Sequence, residues 1–209
     1  MRYSSIQDQI LTQACSIGSG KTAAFLIPML DYIGRLPPLT DENRHMGPYA
    51  LVLAPTRELA QQIEAESTKF CTPLGYRCVS IVGGKAVEEQ SHALRNGAEI
   101  IIATPGRLKD CIERRITVLD QCTYVIMDEA DRMVALGFEE VVNTILDALP
   151  VSNLKPDTDL AENPEKLKEG VVIGGQRQLY RQTVWFLIAT FLTPIHRWIA
   201  RSCFLLQCR

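Results

Sequence analysis

Residues 13–22 read QACSIGSGKT and run directly into the apolar sequence AAFLIPML. Small residues let backbone N–H groups approach a ligand closely, and a helix that begins at Lys21 directs the positive end of its dipole to the same point. The stretch therefore predicts a cradle for an anion such as phosphate. The match to the general phosphate-loop pattern is partial, because Cys15 stands where that pattern has its first glycine. The competing interpretation is an ordinary Gly/Ser turn that caps a helix.

The composition of the chain limits the classes of protein to consider. With 209 residues, of which 46% are hydrophobic and 22% charged, the chain can form one well-packed globular domain, and two are not expected. The formal net charge of −2 means that any binding to nucleic acid needs local basic groups. The start MRYSSIQDQ has no apolar core, and no apolar run is long enough to span a bilayer. We expect a soluble, intracellular protein with no membrane partner.

The cysteines give a further indication of the compartment. There are seven, an odd number, and no pair has C-x-x-C spacing. This pattern predicts mostly free thiols in a reducing environment.

Short apolar, β-branched runs alternate with helical patterns along the chain, which is typical of a parallel sheet covered by helices. The polar or Gly/Pro clusters that follow these strands should meet at one edge, because open α/β sheets bind ligands outside the carboxyl ends of their strands. The predicted strands are 10–12, 49–54, 78–82, 99–103, 124–127 and 183–187, and the predicted helices include 56–70, 87–96, 106–114 and 138–148.

Two segments interrupt this alternation. Residues 34–48 have the Pro, Gly and polar content of a surface loop, and residues 151–180 are poor in aromatics and rich in charge, proline and glycine. We interpret both as solvated connections, and much of 151–180 as a mobile insertion.

A second chemical signal is the sequence VIMDEAD at 125–131, where a buried-looking strand runs into three carboxylates. Burial of such charges without a cation is costly, so a strand end that carries them suits Mg²⁺, with Asp128 as the first choice of ligand. Glu129 could polarise a water for in-line attack on a γ-phosphate. An acidic first turn of a helix would explain the same residues structurally.

Five motifs occur in the order QACSIGSGKT (13–22), APTRELA (54–60), VGG (82–84), ATPGR (103–107) and DEAD (128–131). Their order and approximate spacing resemble those of the first RecA-like domain of the DEAD-box RNA helicases. The resemblance implies an α/β fold of one domain, with a RecA-like parallel sheet between helices on both faces, in three layers. It assigns residues 10–201 to an ATP-binding domain that includes the insertion at 151–180, between a short segment at 1–9 and a tail at 202–209.

The sequence PVSNLKPDTDLAENPEK (150–166) lies in a region that varies within this family and resembles the spliceosomal tri-snRNP members. The resemblance therefore implies ATP and Mg²⁺ as cofactors and pre-mRNA splicing in the nucleus as the setting. The implied partners are RNA, bound through its backbone without sequence preference, and spliceosomal proteins. A monomer is expected.

The resemblance also implies roles for individual residues. Lys21 and Thr22 match the phosphate and Mg²⁺ ligands, Asp128 and Glu129 match the metal-binding and water-activating acids, and Asp131 matches the residue that links this site to the rest of the domain. The implied catalytic set is Glu129, Asp128 and Lys21. The backbone of Gly18, Ser19 and Gly20 would surround the phosphates. The implied RNA-backbone surface is Pro55, Thr56, Arg57, Gly83, Gly84, Thr104, Pro105, Gly106 and Arg107.

Several positions depart from the family pattern. Gln7 stands close to the phosphate loop for an adenine-reading glutamine, so it is either a remnant of that motif or a coincidence. Ile17 replaces a usual threonine, and Ile188 replaces the hydroxyl residue of the coupling motif. The 209 residues contain no match to the second RecA-like domain, so we expect this chain alone to hydrolyse ATP near background and not to unwind RNA. Whether it is an enzyme stays open, and the alternative is a catalytically inactive interaction module.

Overall fold

The computed structural model describes residues 10–11, 21–84, 86–150, 171–173, 176–178 and 182–186. Its centre is a six-stranded sheet in the order β1-β8-β5-β2-β4-β3, in which every neighbouring pair is parallel. A separate antiparallel pair is formed by β6 and β7. The strands are β1 (Ile10–Leu11), β2 (Ala50–Leu53), β3 (Cys78–Ile81), β4 (Ile100–Ala103), β5 (Tyr124–Met127), β6 (Val171–Ile173), β7 (Gln176–Gln178) and β8 (Gln182–Phe186).

Helices follow most strands of this sheet, as a parallel arrangement requires. Lys21 is the first described residue of the first helix, and the short α5 was not predicted. The helices are α1 (Lys21–Ile33), α2 (Arg57–Leu74), α3 (Val87–Arg95), α4 (Pro105–Glu113), α5 (Ala130–Ala135) and α6 (Glu139–Asp147), with a 3₁₀ turn at Arg44–Met46. None of the described helices has the length and apolar character needed to cross a membrane.

The sheet separates two hydrophobic clusters, because successive strand side chains point to opposite faces. On one face Leu51, Ile101 and Val125 pack with residues of α4, α5 and α6. On the other face Val52 and Ile102 pack with residues of α1 and α2. The chain therefore has the three layers expected. The apolar residues of α5, of α6 and of the turn between them lie in or against the first cluster: Met133, Phe138, Val141, Val142, Ile145 and Leu146.

Helix α2 continues four residues beyond its predicted end at residue 70. The reason is the buried stripe Ala60, Ile63, Ser67 and Cys71, which keeps helical spacing into the last turn. Gly75 then ends the helix in a left-handed conformation, and its N–H reaches the carbonyls of the last turn.

The segment at 34–48 is a surface loop as predicted, but it is more than a solvated connection. The Tyr49 hydroxyl donates to the Pro37 carbonyl at 2.9 Å, and Asn43 donates to the Pro38 carbonyl at 3.1 Å. Gln121 donates to the carbonyls of Asn43 and Gly47, from the loop that precedes β5. These bonds fix the loop against the amino-terminal edge of the sheet.

Within 151–180 the structure describes only β6 and β7, which pair in antiparallel register. The sequence analysis predicted no strands there, because Gly and charged residues dominate the composition. The rest of the predicted mobile insertion, residues 151–170, 174–175 and 179–180, lies outside the described residues.

Four cysteines lie among the described residues, and all four are free, as predicted: Cys71, Cys78, Cys111 and Cys122. Burial raises the pKa of the Cys71 thiol to about 11 and raises the pKa of Cys78 well above its ordinary range. A thiol that stays protonated is a poor nucleophile.

We therefore expect Cys71 to be alkylated roughly 100-fold more slowly at pH 8 in the folded chain than in concentrated guanidinium chloride, since the thiolate fraction falls tenfold per pKa unit. Iodoacetamide labelling followed by peptide mass spectrometry measures the rate at each cysteine. Equal rates for Cys71 in the two conditions would contradict the described burial.

Candidate functional site

An ion pair joins the start of α1 to the end of β5. Lys21 is the first residue of α1, and Asp128 follows the last residue of β5 directly. Lys21 Nζ lies 2.5 Å from Asp128 Oδ1, where the aspartate side chain is only 4% exposed and the lysine side chain is 23% exposed. The Asp128 N–H donates to the Leu53 carbonyl at 2.9 Å, so the ladder between β5 and β2 holds the aspartate in place. Two motifs far apart in sequence thus meet at one point.

Glu129 occupies an unusual backbone position beside this pair. It is the N-cap of α5 with φ 51° and ψ 48°, a left-handed conformation that costs a non-glycine residue on the order of 1–3 kcal/mol. Its N–H donates to Asp128 Oδ1 at 3.0 Å, and Arg132 Nη1 lies 3.4 Å from Glu129 Oε2. The sharp turn carries the chain from β5 into α5, and Asp131 lies in the first turn of that helix. Strain of this kind is typical of functional sites.

The donor set suits a cation that arrives together with phosphates. Mg²⁺ commonly takes one or two carboxylates and completes its shell with phosphate oxygens and water. Asp128 supplies a carboxylate, and Thr22 follows Lys21 at the start of α1. Among the described residues there is no group of three or more His, Cys, Asp or Glu side chains able to hold a metal. These residues therefore fit a metal–nucleotide complex better than a metal alone.

A second group of predicted residues gathers at the carboxyl ends of β2, β4 and β3, which are neighbours in the sheet. Arg57, after β2, donates from Nη1 to the Gly83 carbonyl at 2.9 Å, after β3. Thr56 caps α2 by accepting from the Leu59 N–H at 3.3 Å. The Thr104 N–H, after β4, donates to the Ile81 carbonyl at 3.1 Å. Three turns with glycines, hydroxyls and arginines therefore form one connected edge.

The remaining predicted residues of this edge differ in exposure. Pro55 and Pro105 are buried, whereas Gly84 is exposed. A Cβ at Gly83 or at Gly106 would meet nothing within 4 Å, so the backbone is open to a ligand at both positions.

Gln90 is a residue of this edge that the sequence analysis missed. It lies in α3, is 4% exposed, and donates from Nε2 to the Val82 carbonyl at 2.8 Å. Arg107 Nε donates to Gln90 Oε1 at 3.5 Å. Its position in the sequence could have indicated burial, because Gln90 stands four residues before Leu94 on the same side of the helix. The Leu94 side chain packs against the core. A glutamine on the apolar side of a helix indicates a buried amide with specific partners.

Several predicted positions lie outside the described residues. These are the loop residues Gly18, Ser19 and Gly20, the departures Cys15 and Ile17, and Gln7 and Ile188.

The described site contains the end of the predicted phosphate loop, the acidic strand end and the edge formed by the three turns. The sequence profile of the DEAD/DEAH box helicases matches residues 5–184. The chain belongs to this family. The DEAD sequence at 128–131 is thus the acidic strand end described above.

Among curated DEAD-box relatives, the pre-mRNA-splicing ATP-dependent RNA helicase prp28 of Sclerotinia sclerotiorum is 64% identical over 181 residues. That alignment covers 87% of this chain and 22% of the relative. The protein of the same name from Neurospora crassa is 59% identical over 197 residues, which cover 94% of this chain and 26% of the relative. The chain thus spans about a quarter of the length of these relatives.

Two solved DEAD-box structures are similar to this fold. The RNA helicase Prp28 of Chaetomium thermophilum bound to ADP has a TM-score of 0.68 and 49% identity, over 94% of this chain and 39% of that one. The yeast DEAD-box splicing factor Prp28 has a TM-score of 0.71 and 36% identity, over 90% of this chain and 38% of that one. The prediction of a RecA-like α/β fold is confirmed, as is the resemblance to the spliceosomal members of the family.

Proposed function

We propose that this chain is the ATP-binding and RNA-binding domain of a DEAD-box RNA helicase that acts in pre-mRNA splicing. The observation that carries the proposal is the ion pair between Lys21 and Asp128. It brings the last part of the predicted phosphate loop to the acidic strand end, as a metal–nucleotide site requires. The names of the relatives support RNA and splicing as the setting.

In the nucleotide site each residue has a distinct task. The Lys21 ammonium would neutralise phosphate charge, and Thr22 and Asp128 would hold Mg²⁺ through oxygen atoms. Bound Mg²⁺ would neutralise charge that develops on the phosphates. Glu129 orients a water for attack on the γ-phosphate from its strained N-cap position. Asp131 in the same helix connects these acids to the rest of the domain.

Titration calorimetry of the purified chain tests nucleotide binding. We expect binding of Mg²⁺-ADP and Mg²⁺-ATP that is weak and is lost when EDTA removes the metal. Binding that is indifferent to EDTA would contradict the roles given to Thr22 and Asp128. A matched titration with Mg²⁺-GTP measures adenine selectivity, which we expect to be poor because Gln7 is badly spaced for adenine.

The edge formed by the three turns is the proposed RNA surface. Glycine backbone, threonine hydroxyls and arginines contact phosphate and ribose, and these groups carry little sequence information. Such contacts come from the open backbone at two glycines and from two guanidinium groups, those of Gly83, Gly106, Arg57 and Arg107. RNA binding at this edge is therefore independent of base sequence.

Arg57→Ala and Arg107→Ala are each expected to weaken single-stranded RNA binding by about the same factor for two unrelated oligonucleotides. Each should also reduce the slope of log affinity against log salt by about 1, as for one lost phosphate contact. Fluorescence anisotropy across a salt series measures both. Arg114→Ala, an exposed arginine at the opposite end of α4, is the matched control. A strong preference for one oligonucleotide would contradict backbone recognition.

Gly84→Ala should also weaken RNA binding. Gly84 has φ 79°, and a Cβ there would overlap Nη1 of Arg57, so alanine displaces that guanidinium and strains the backbone by about 1–2 kcal/mol. Gly75→Ala, at the opposite end of α2 from Arg57, is the control, since Gly75 also has a positive φ, 73°, but a Cβ there meets nothing within 4 Å. Anisotropy measures the affinities, and an equal effect of the two variants would argue against a role for Arg57 placement.

The relatives' names, which describe pre-mRNA-splicing helicases, support splicing as the setting. We propose that this domain acts in the nucleus, in contact with spliceosomal proteins and RNA, and that it is a monomer. Nuclear fractionation and co-precipitation of small nuclear RNAs would test this placement, and a purely cytoplasmic protein would contradict it.

A further inference from the structure

The turn after β3 is held from two sides by side-chain donors. Arg57 from α2 donates to the Gly83 carbonyl at 2.9 Å, and Gln90 from α3 donates to the Val82 carbonyl at 2.8 Å. Arg107, after β4, donates from Nε to Gln90 Oε1 at 3.5 Å. The Gln90 amide thus lies between the VGG turn and the Arg107 guanidinium.

We propose that Gln90 is a positioning residue for RNA-backbone binding, which acts by fixing the VGG turn and Arg107 relative to each other. The inference rests on the RNA-binding function proposed above and adds a residue that touches no RNA itself. Gln90 is 4% exposed, so it acts through its two neighbours.

The partners of Gln90 fix the orientation of its amide. A backbone carbonyl can only accept and the arginine Nε can only donate, so Nε2 must face Val82 and Oε1 must face Arg107. A flipped amide would place Oε1 against the Val82 carbonyl, where both groups are acceptors. It would also place Nε2 against the Arg107 Nε, where both groups are donors. The buried amide therefore selects one arrangement of the two turns.

Glutamine has an advantage over glutamate at this position. A carboxylate would oppose the Val82 carbonyl, and it would pair with Arg107 and cancel the positive charge that attracts phosphate. The neutral amide accepts from the guanidinium without neutralising its positive charge. At 3.5 Å the contact is long for a hydrogen bond, so its contribution to the free energy of unfolding is small.

A simple structural role is the competing explanation, because any buried amide must be hydrogen-bonded. The chain offers a matched control in Gln121, which is half-buried and also donates to backbone carbonyls, those of Asn43 and Gly47. Gln121 precedes β5 and so lies at the opposite edge of the sheet from the proposed RNA surface. Gln121→Met therefore removes comparable bonds without touching the VGG turn or Arg107.

The experiment measures RNA affinity by anisotropy for Gln90→Met, Gln90→Glu and Gln121→Met, with thermal unfolding and Mg²⁺-ADP affinity recorded for each. Methionine keeps the volume and removes the hydrogen bonds. We expect Gln90→Met to lose RNA affinity by roughly 3- to 10-fold, the range for one or two lost hydrogen bonds, and Gln90→Glu to lose more. Gln121→Met should bind RNA as the unmodified chain does.

Two further readouts separate positioning from general destabilisation. In the Arg107→Ala background, Gln90→Met should have a smaller effect than it has alone, because part of its role is already lost. The ¹⁵N shift of the Arg107 Nε should change in Gln90→Met and stay constant in Gln121→Met.

The outcomes distinguish this inference from the proposed function. Normal RNA binding by Gln90→Met, or an equal loss in Gln121→Met, would overturn the positioning role while Arg57→Ala and Arg107→Ala could still support the RNA surface. The positioning role would also be overturned if the losses of RNA affinity caused by Gln90→Met and Arg107→Ala were fully additive in the double variant. An unmodified chain that binds Mg²⁺-ADP but no RNA would refute RNA binding itself, and the role of Gln90 with it.

Discussion

Lys21→Ala is expected to weaken Mg²⁺-ADP binding by about 10- to 150-fold and to lower the free energy of unfolding by about 3 kcal/mol. The first effect follows from loss of a charged contact to phosphate. The second follows from the ion pair, because the substitution leaves the Asp128 carboxylate without its cation at a position where only 4% of the side chain is exposed. One substitution should therefore reduce both binding and stability.

The two partners of the pair should not behave alike. The Lys21 side chain is 23% exposed and can turn its ammonium toward water when Asp128 is neutralised. The buried Asp128 carboxylate cannot turn toward water in this way when Lys21 is removed. We expect Asp128→Asn to cost less stability than Lys21→Ala, while it removes the proposed metal ligand and so weakens the Mg²⁺ dependence of binding.

Calorimetry measures nucleotide affinity, and urea unfolding followed by circular dichroism measures stability. The matched control is Lys69→Ala, which breaks a lysine–carboxylate pair to Glu66 at 2.7 Å whose side chains are 66% and 42% exposed. An exposed pair of this kind contributes at most about 1 kcal/mol. Equal nucleotide affinity for Lys21→Ala and the unmodified chain would refute the proposed site.

The sheet could be predicted from the sequence because its central strands carry an unambiguous signal. β2, β4 and β5 are buried along their whole length, so they appear as continuous apolar runs with β-branched residues. The end of α2 was harder, because Pro73 and the polar residues near it mask a stripe that ends at the buried Cys71. Local composition and tertiary burial disagree at that point, and burial prevails.

The motifs name the residues of the proposed nucleotide site, but they do not predict the geometry between them. The motifs identify Lys21 and Asp128 separately, whereas the contact between them depends on how α1 and β5 pack. The left-handed backbone of Glu129 has no sequence signal, since glutamate has no preference for that conformation. Gln90 was missed for a related reason, because its role depends on carbonyls and a guanidinium from other turns.

The loop at 34–48 shows the limit of composition most clearly, and it leads to a second large expected effect. Gly47→Ala should lower the free energy of unfolding by roughly 3–5 kcal/mol, the sum of a glycine-only backbone conformation and a steric overlap. Gly47 has φ 95° and ψ −165°, which side-chain-bearing residues rarely adopt. A Cβ there would overlap the Val118 carbonyl oxygen, a backbone atom that cannot rotate away.

Gly75→Ala is the matched control for this prediction. Gly75 also has a positive φ, 73°, but a Cβ there meets nothing within 4 Å, so we expect only the backbone cost of about 1–2 kcal/mol. Urea unfolding of the two variants gives the difference directly. Because Gly47 precedes β2 and the proposed binding residues follow the strands, the folded fraction of Gly47→Ala should bind Mg²⁺-ADP and RNA with unchanged affinity. Equal stability of the two variants would mean that the loop moves away from Val118, and the bonds from Gln121 would then not hold it at the sheet edge.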